Sequence, residues 1–458
     1  MIPPRSRRDV FRAAAAPVAA RLLPQVRPAA ANILFLISDD HSRADLGCYG
    51  NRSLTSPNLD RLAQQGMRFD HAFVSSPQCS PNRSSILSGC FPHTIGASRL
   101  HVPYPDYEPS IVEMLKQKGY HTGAYRKVHQ GEAFDRRFDF RAGAREPFRS
   151  FFDKRPASAP FFLHVGFTDP HRPYRPGAFS PPHDPARARV PDFLPDTRAV
   201  REDLALYYDA IARMDAEVGE ILAILDQQGL DDSTLVIFTG DNGMPFPRAK
   251  GSLYDAGIRV PLLARWPGRI RPGAVSQELV SAVDLPVTWL ELAGIAPSKK
   301  MQGRSLLGLF SDPGRPHRQA VFAERNWHNN FDPMRSVRTR QHKLIFNARP
   351  ELPYRPIADL EASPTWASYL EEARSRPSGA LLDRHRQLLA PSRPSIELYH
   401  LEKDPGEFHN LASDPAYAET RRNLEYKLSD WMHETQDFLP PLYSGYPAAQ
   451  GPGRRDFP

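Results

Sequence analysis

From residue 33 to about residue 293, short unbroken apolar runs alternate with stretches of helical spacing. Residues 33–37 read Ile-Leu-Phe-Leu-Ile, the pattern of a strand buried on both faces of a parallel sheet. Residues 122–125, 160–167, 234–238 and 260–264 carry further strand signals. Helices are expected between them. One begins at Ser56 and Pro57 and ends at Gly66, with a cap, a first-turn proline and a terminal glycine. Residues 110–119 place Ile111, Met114 and Leu115 on one face of a second. Residues 203–225 form a long helix, and Asp284 is expected to cap another that runs to Ala293. Such alternation predicts a parallel α/β sheet flanked by helices.

Four of the predicted strands end in polar groups that a core would not tolerate. They deliver Asp39-Asp40-His41, Arg126-Lys127-Val128-His129, Thr168-Asp169-Pro170-His171 and Gly240-Asp241-Asn242-Gly243, with Lys250-Gly251 and Arg259 just beyond the last. In an open α/β sheet the carboxyl ends of the strands are where ligands bind. Four such endings at one sheet edge predict an active site. After about residue 330 the pattern changes. Residues 334–339 and 342–347 suggest an antiparallel hairpin, 397–401 another strand and 415–434 a terminal helix, while the Arg/Pro-rich stretch 348–396 has no assignable period. The expected fold class is α/β, a large, mostly parallel sheet with a smaller C-terminal α+β domain containing an antiparallel sheet. The expected boundaries are a leader over 1–31, a catalytic domain over 32–330 and the smaller domain over 331–458.

Composition narrows this picture in three places. The 47 prolines imply long, stiffened loops, and the net charge of +7 comes from scattered arginines without a basic stripe, which argues against nucleic-acid binding. Three cysteines, Cys48, Cys79 and Cys90, are too few for a disulfide scaffold or a zinc site. Cys48 and Cys90 are left either as a pair or as two buried thiols. Residues 1–31 carry Arg7-Arg8, an alanine-rich stretch interrupted by Pro17 and closed by Arg21, and Ala29-Ala30-Ala31. They resemble a bacterial twin-arginine export signal, which implies a periplasmic or secreted protein; a leader without fold, and so a cytoplasmic protein, is the other reading. No apolar stretch there is long enough to span a bilayer.

The remaining chemistry centres on residues 77–89, PQCSPNRSSILSG. Ser80 is expected as an N-cap and Pro81 at the first helical position, with Ile86 and Leu87 facing a core and Gly89 ending the helix in a left-handed turn. This places Cys79 just before a helix N-terminus, a site that favours anions. Asp39, Asp40, Asp241 and Asn242 are an all-oxygen set suited to one hard divalent cation, calcium or magnesium. The three carboxylates balance Arg83, Lys127 and Lys250 charge for charge, so a divalent ion leaves this group at about +2, fit for an oxyanion.

Cys79-Ser80-Pro81-Asn82-Arg83 followed by Leu87-Ser88-Gly89 resembles the signature of the type I sulfatases, whose fold is that of the alkaline phosphatase superfamily. Asn82 stands where that family has a small residue, usually serine. The resemblance implies that Cys79 is oxidised after translation to formylglycine, whose hydrate is the nucleophile. It implies Asp39, Asp40, Asp241, Asn242 and the modified Cys79 as ligands of a divalent ion, usually calcium. It implies that Arg83 and His129 hold the hydrated aldehyde, with His129 as a base, and that Lys127, His171 and Lys250 grip the sulfate and assist the leaving group. His93, His101, Arg259, Glu324 and His328 are further candidates for the pocket wall. The implied partners are a sulfated sugar or glycan, a formylglycine-generating enzyme during maturation and a second copy in a homodimer. Within the family, residues 333–338 (PMRSVR), 363–366 (SPTW), 397–399 (ELY) with Asp404-Pro405, and 433–437 (HETQD) look most similar to the heparan N-sulfatase (sulfamidase) group. The implied reaction is removal of the N-sulfate of glucosamine. O-sulfate ester hydrolysis, phosphonate or phosphate monoester hydrolysis and non-catalytic binding of a sulfated glycan are the alternatives.

Overall fold

The computed structural model describes residues 31–375, 388–440 and 442, so the leader reading for residues 1–30 lies outside the described residues. The larger sheet contains β1 (Asn32–Ser38), β2 (Met67–Phe73), β3 (His121–Arg126), β4 (Phe140–Ala142), β5 (Phe161–Gly166), β6 (Thr234–Gly240), β7 (Leu262–Arg265) and β8 (Ala274–Ser281). Their order across the sheet is β4-β3-β5-β1-β6-β7-β2-β8. Strands β4, β3, β5, β1 and β6 are mutually parallel, β7 is antiparallel to both neighbours, and β8 is parallel to β2. The connection from β6 to β7 holds only the short helix Asp255–Ile258, too little for a crossover, so the chain returns antiparallel.

The unbroken apolar run of β1 is explained by burial on both faces. Ile33, Phe35 and Ile37 pack on one side with Ile86, Leu87, Ile111, Leu115, Trp289 and Leu290. Leu34 and Leu36 pack on the other with Leu204, Ile211, Met214, Val218 and Leu225 of the long helix Arg198–Gln227. Trp289 lies 4.8 Å from Phe35, centroid to centroid, and fills the centre of the first face. The long helix starts earlier than the apolar pattern indicates because Thr197 caps it, its Oγ1 accepting from Val200 N at 3.3 Å. Asp284 does not cap the helix Asp284–Leu292; it is the first helical residue, and its carboxylate accepts from Ser281 N at 2.9 Å and Arg304 N at 2.7 Å and pairs with Arg318. A buried carboxylate with an arginine on offer takes the stronger, charge-assisted partner. Cys48 and Cys90 are both free thiols; Cys48 packs against the Leu34 face and Cys90 within the Ile33 face, so the sheet separates them.

His164 of β5 is buried against Phe35 and Phe138, and its Nδ1 has no partner among the described residues. Burial, and secondarily the charges of Arg83 and Arg141, pull its pKa from 6.5 to about 3. The unfolded chain therefore takes up a proton below pH 6.5 that the folded chain refuses, and this part of the stability, complete above pH 6.5, is lost as the pH falls towards 3. At roughly pH 4.5 the loss is on the order of 2–3 kcal/mol. Denaturant unfolding of the wild type and of His164→Phe at neutral and acid pH checks this: the variant is expected to show the smaller acid loss.

The second sheet is antiparallel, in the order β12-β11-β10-β9, from β9 (Val321–Trp327), β10 (Phe331–Arg338), β11 (His342–Asn347) and β12 (Ile396–His400). The predicted hairpin is β10–β11. One face packs on the larger sheet through Val321, Met334, Ile345 and Tyr399 against Phe73, Ile258 and Leu279. The C-terminal helix Ala418–Glu434 covers Val337, Leu344 and Leu398 with Leu424, Leu428 and Trp431. The stretch without a readable period contains the helices Ala358–Glu361 and Pro364–Ser375.

Candidate active site

Strand register brings the polar endings together. Ser38 at the end of β1 pairs with Gly240 at the end of β6, and Gly166 at the end of β5 pairs with both Ile37 and Arg126. The next residues along, Asp39, Asp241 and Lys127, therefore emerge side by side. Asp40 and His129 follow with φ of 66° each, the left-handed turn that redirects their side chains across the sheet edge. Gly166 permits the convergence: a Cβ there would lie 1.8 Å from Lys127 O.

The helix carrying the cysteine differs from expectation at its start. Gln78 is the N-cap and the helix runs Cys79–Ser88, so Cys79 stands inside the first turn rather than before it. Pro81 is the third helical residue, where its missing N–H is still one of the unpaired ones. Ser80 makes no cap; its Oγ accepts from His101 N at 2.9 Å. Gly89 ends the helix with φ 75°, as the sequence indicates. Cys79 Sγ is buried 3.4 Å from Asp39 Oδ1 and 3.8 Å from Asp40 Oδ1. Burial pushes its thiol well above the ordinary range.

Cations line the carboxylates. Arg83 donates from Nε to Asp241 Oδ2 at 2.8 Å and from Nη1 to Lys127 O at 2.6 Å. Lys127 pairs with Asp39 Oδ2. Lys250, fully buried, donates to Asp40 Oδ2 at 2.8 Å and to Asp359 Oδ2 at 2.6 Å. Burial alone would strip its proton, but Asp40 and Asp359 hold its pKa well above the usual value. His171 Nε2 lies 3.7 Å from Asp40 Oδ2 and 3.5 Å from Asp359 Oδ2. Burial pulls that imidazole down, Asp40 more than offsets it, and the result is a pKa of about 9. His129 behaves oppositely: burial, then the charges of Lys127 and Arg83, take it to about 2, so it is neutral. Its Nε2 shares a proton with His101 Nδ1 at 2.9 Å, and its Nδ1 is buried without a partner among the described residues.

Asp39, Asp40, Cys79 and His171 each present a ligand atom within 4.8 Å of the others. Asp241 and Asn242 join this cluster through Asp40: Asp241 Oδ1 accepts from Asp40 N at 2.9 Å, and Asn242 Nδ2 donates to Asp40 Oδ1 at 2.8 Å and to Gly243 O at 2.9 Å. Two acceptors at Nδ2 fix the amide's orientation, which leaves Asn242 Oδ1 buried with no partner among the described residues. An orphaned amide oxygen beside clustered carboxylates fits a hard cation. The charge balance agrees. With His171 charged, Asp39, Asp40, Asp241 and Asp359 balance Arg83, Lys127, Lys250 and His171, so a divalent ion leaves the site positive and fit for an oxyanion.

Asp359 was not legible in the sequence; it sits in the aperiodic stretch and reaches the site only through the tertiary fold. Asn82 is buried, its Oδ1 accepting from Ser75 N at 3.0 Å and its Nδ2 donating to Asp241 O at 2.8 Å, so it braces the strand end that carries Asp241. Of the weaker candidates, His101 bonds His129 Nε2, and His328 follows the strand whose Arg325 donates to Gly251 O, the residue after Lys250. His93 and Glu324 pair with each other beside Thr435, and Arg259 binds Asp70 O at 3.0 Å, so these three serve structural contacts.

A parallel sheet that gathers a helix-borne cysteine, carboxylates and buried cations at its carboxyl edge defines a class. The chain belongs to the sulfatase family, hydrolases of sulfate esters or sulfamates: the model described as Sulfatase matches residues 31–153 and 143–295, and that described as N-sulphoglucosamine sulphohydrolase, C-terminal, matches residues 248–375. It is 33% identical to human N-sulphoglucosamine sulphohydrolase over 89% of this chain and 90% of that protein. It is 30% identical to an ulvan-active sulfatase of Formosa agariphila over 88% of this chain and 75% of that one. A solved structure of a protein in complex with its substrate D-glucosamine-2-N,6-O-disulfate superposes with a TM-score of 0.68 at 19% identity, covering 90% of this chain and 99% of that one, a likeness of fold. The family implies a metal ion, in keeping with the carboxylate cluster. Among the described residues no helix is long and apolar enough to cross a membrane.

Proposed function

We propose that the protein removes the N-sulfate of glucosamine in heparan-type glycans, using a formylglycine made from Cys79. The observation that carries the choice of substrate is Asp359. It lies in the stretch that matches the N-sulphoglucosamine sulphohydrolase model, and it contacts both Lys250 and His171. A part of the chain that matches the model of those enzymes thus lies beside the groups that would meet the leaving atom.

In this reading Asp39, Asp40, Asp241 and Asn242 hold a divalent cation, calcium or magnesium, together with the modified Cys79. The ion supplies a fixed positive charge that polarises the sulfate. The hydrated aldehyde supplies a nucleophile that can release sulfate by elimination instead of a second hydrolysis. Unmodified Cys79 would be a poor nucleophile, since burial keeps it protonated. Arg83, fixed by Asp241, and neutral His129, whose Nδ1 has no partner among the described residues, hold the diol. Lys127 and Lys250 neutralise the sulfate oxygens. A sulfamate's leaving nitrogen cannot depart as an anion and must be given a proton. His171 and Lys250, both charged beside Asp40 and Asp359, are the donors within reach.

The test is a panel of glucosamine N-sulfate, an O-sulfated glucosamine, para-nitrophenyl sulfate and para-nitrophenyl phosphate, each offered to protein matured in its native host. Highest kcat/KM on the N-sulfate is expected. Preference for the O-sulfated sugar would replace the reading with an O-sulfatase. Preference for the phosphate would point to a phosphomonoesterase, and no turnover at all to a glycan binder.

A further inference from the structure

His328 follows β9 at the turn into β10, and neither of its ring nitrogens has a partner among the described residues although the side chain is 9% exposed. A buried polar group left unpaired is costly, so an imidazole with both nitrogens free calls for a partner. Its position is set by a bridge: Arg99 pairs in parallel with Trp327, and Leu100 N donates to Trp327 O at 2.9 Å, so the chain entering His101 and the chain entering His328 run side by side. His101 then bonds His129 at 2.9 Å, and Arg325, three residues before His328 on β9, donates from Nη1 to Gly251 O at 2.6 Å, beside Lys250 and its partner Asp359. His328 thus stands over the leaving-group side of the catalytic edge. Asp359 spends its Oδ2 on Lys250 and His171, which leaves Oδ1 for a ligand. Burial and Lys250 hold His328 neutral, near pKa 3, so its ring offers one donor and one acceptor.

We infer that His328, with Asp359 Oδ1, forms the subsite that binds hydroxyl groups of the sugar bearing the sulfate, and so selects a sugar sulfate over a planar aryl sulfate. A pyranose hydroxyl both donates and accepts, which matches a neutral imidazole beside a carboxylate; an aryl ring carries no such group. A site built to hydrogen-bond hydroxyls discriminates strongly against ligands that lack them. This inference rests on the sulfatase reading above but not on N-sulfate as the substrate.

The experiment compares full-length, matured wild type, His328→Ala and His328→Gln on the sugar sulfate that the wild type prefers and on para-nitrophenyl sulfate, with thermal unfolding of each. His328→Ala is expected to lower the ratio of sugar to aryl kcat/KM by at least about tenfold, mainly through KM for the sugar. His328→Gln keeps the bulk, a donor and an acceptor, and is expected to retain most of the ratio. A ratio equal in all three proteins, or a wild type that does not prefer any sugar sulfate to the aryl one, overturns the subsite. The two proposals fail separately: a wild type that prefers an O-sulfated sugar ends the N-sulfate reading, and the His328 ratio is then taken on that sugar.

Discussion

Cys79→Ala is expected to leave a folded protein whose turnover is lower than that of the matured wild type by several orders of magnitude. The side chain is buried, but its contacts are with Asp39 and Asp40 rather than with the apolar core. Alanine is the best helix former and suits the first turn of the helix Cys79–Ser88, so stability changes little. What is lost is the nucleophile, and none of the side chains around it replaces it: Ser80 is engaged by His101 N, and Ser84 donates to Gln130 Oε1 at 2.7 Å. Steady-state kinetics and thermal unfolding of the purified variant check both halves. Turnover close to that of the wild type would remove Cys79 from the reaction; an unfolded variant would make it a structural residue.

Removal of divalent ions has the second large effect. Lys127 pairs with Asp39 and Lys250 with Asp40 and Asp359, so without a competing cation the lysines are committed to carboxylates instead of to a sulfate. In the proposed reading a divalent ion takes over Asp39 and Asp40, which turns Lys127 and Lys250 towards the substrate. Protein dialysed against a strong chelator is expected to lose turnover while keeping its fold, because both faces of the sheet are packed by apolar side chains away from the ligands. Calcium or magnesium is expected to restore it. Metal analysis alongside the activity assay and circular dichroism checks this. Full activity in protein shown to be metal-free would contradict the assignment.

The sequence was most legible where burial is two-sided. β1 and β6 are covered on both faces and read as unbroken apolar runs, β5 is broken only by His164, and the register of these strands and of β3 carries Asp39, Lys127 and Asp241 to one edge. Strands β2 and β8 escaped notice because they mix polar residues with apolar ones: Arg68 and His71 in one and the exposed Val275 and Gln277 in the other interrupt any run. The helix starts two residues earlier than Ser80 and Pro81 indicate: these suit a cap in isolation, whereas in the fold Ser80 Oγ is taken by His101 N. Asp359 has no periodic pattern around it, and its role exists only because the short helix Ala358–Glu361 is carried to Lys250. Asn82, a departure from the family signature, is explained by its bonds to Ser75 and to Asp241 O, contacts that a local reading could not contain.

The most direct measurement is the mass of the proteolytic peptide that carries Cys79, taken from protein made in its native host. A mass corresponding to the aldehyde, captured by a hydrazine reagent that leaves thiols alone, is the expected result and establishes the nucleophile. An unmodified thiol in fully matured, active protein would contradict the formylglycine mechanism.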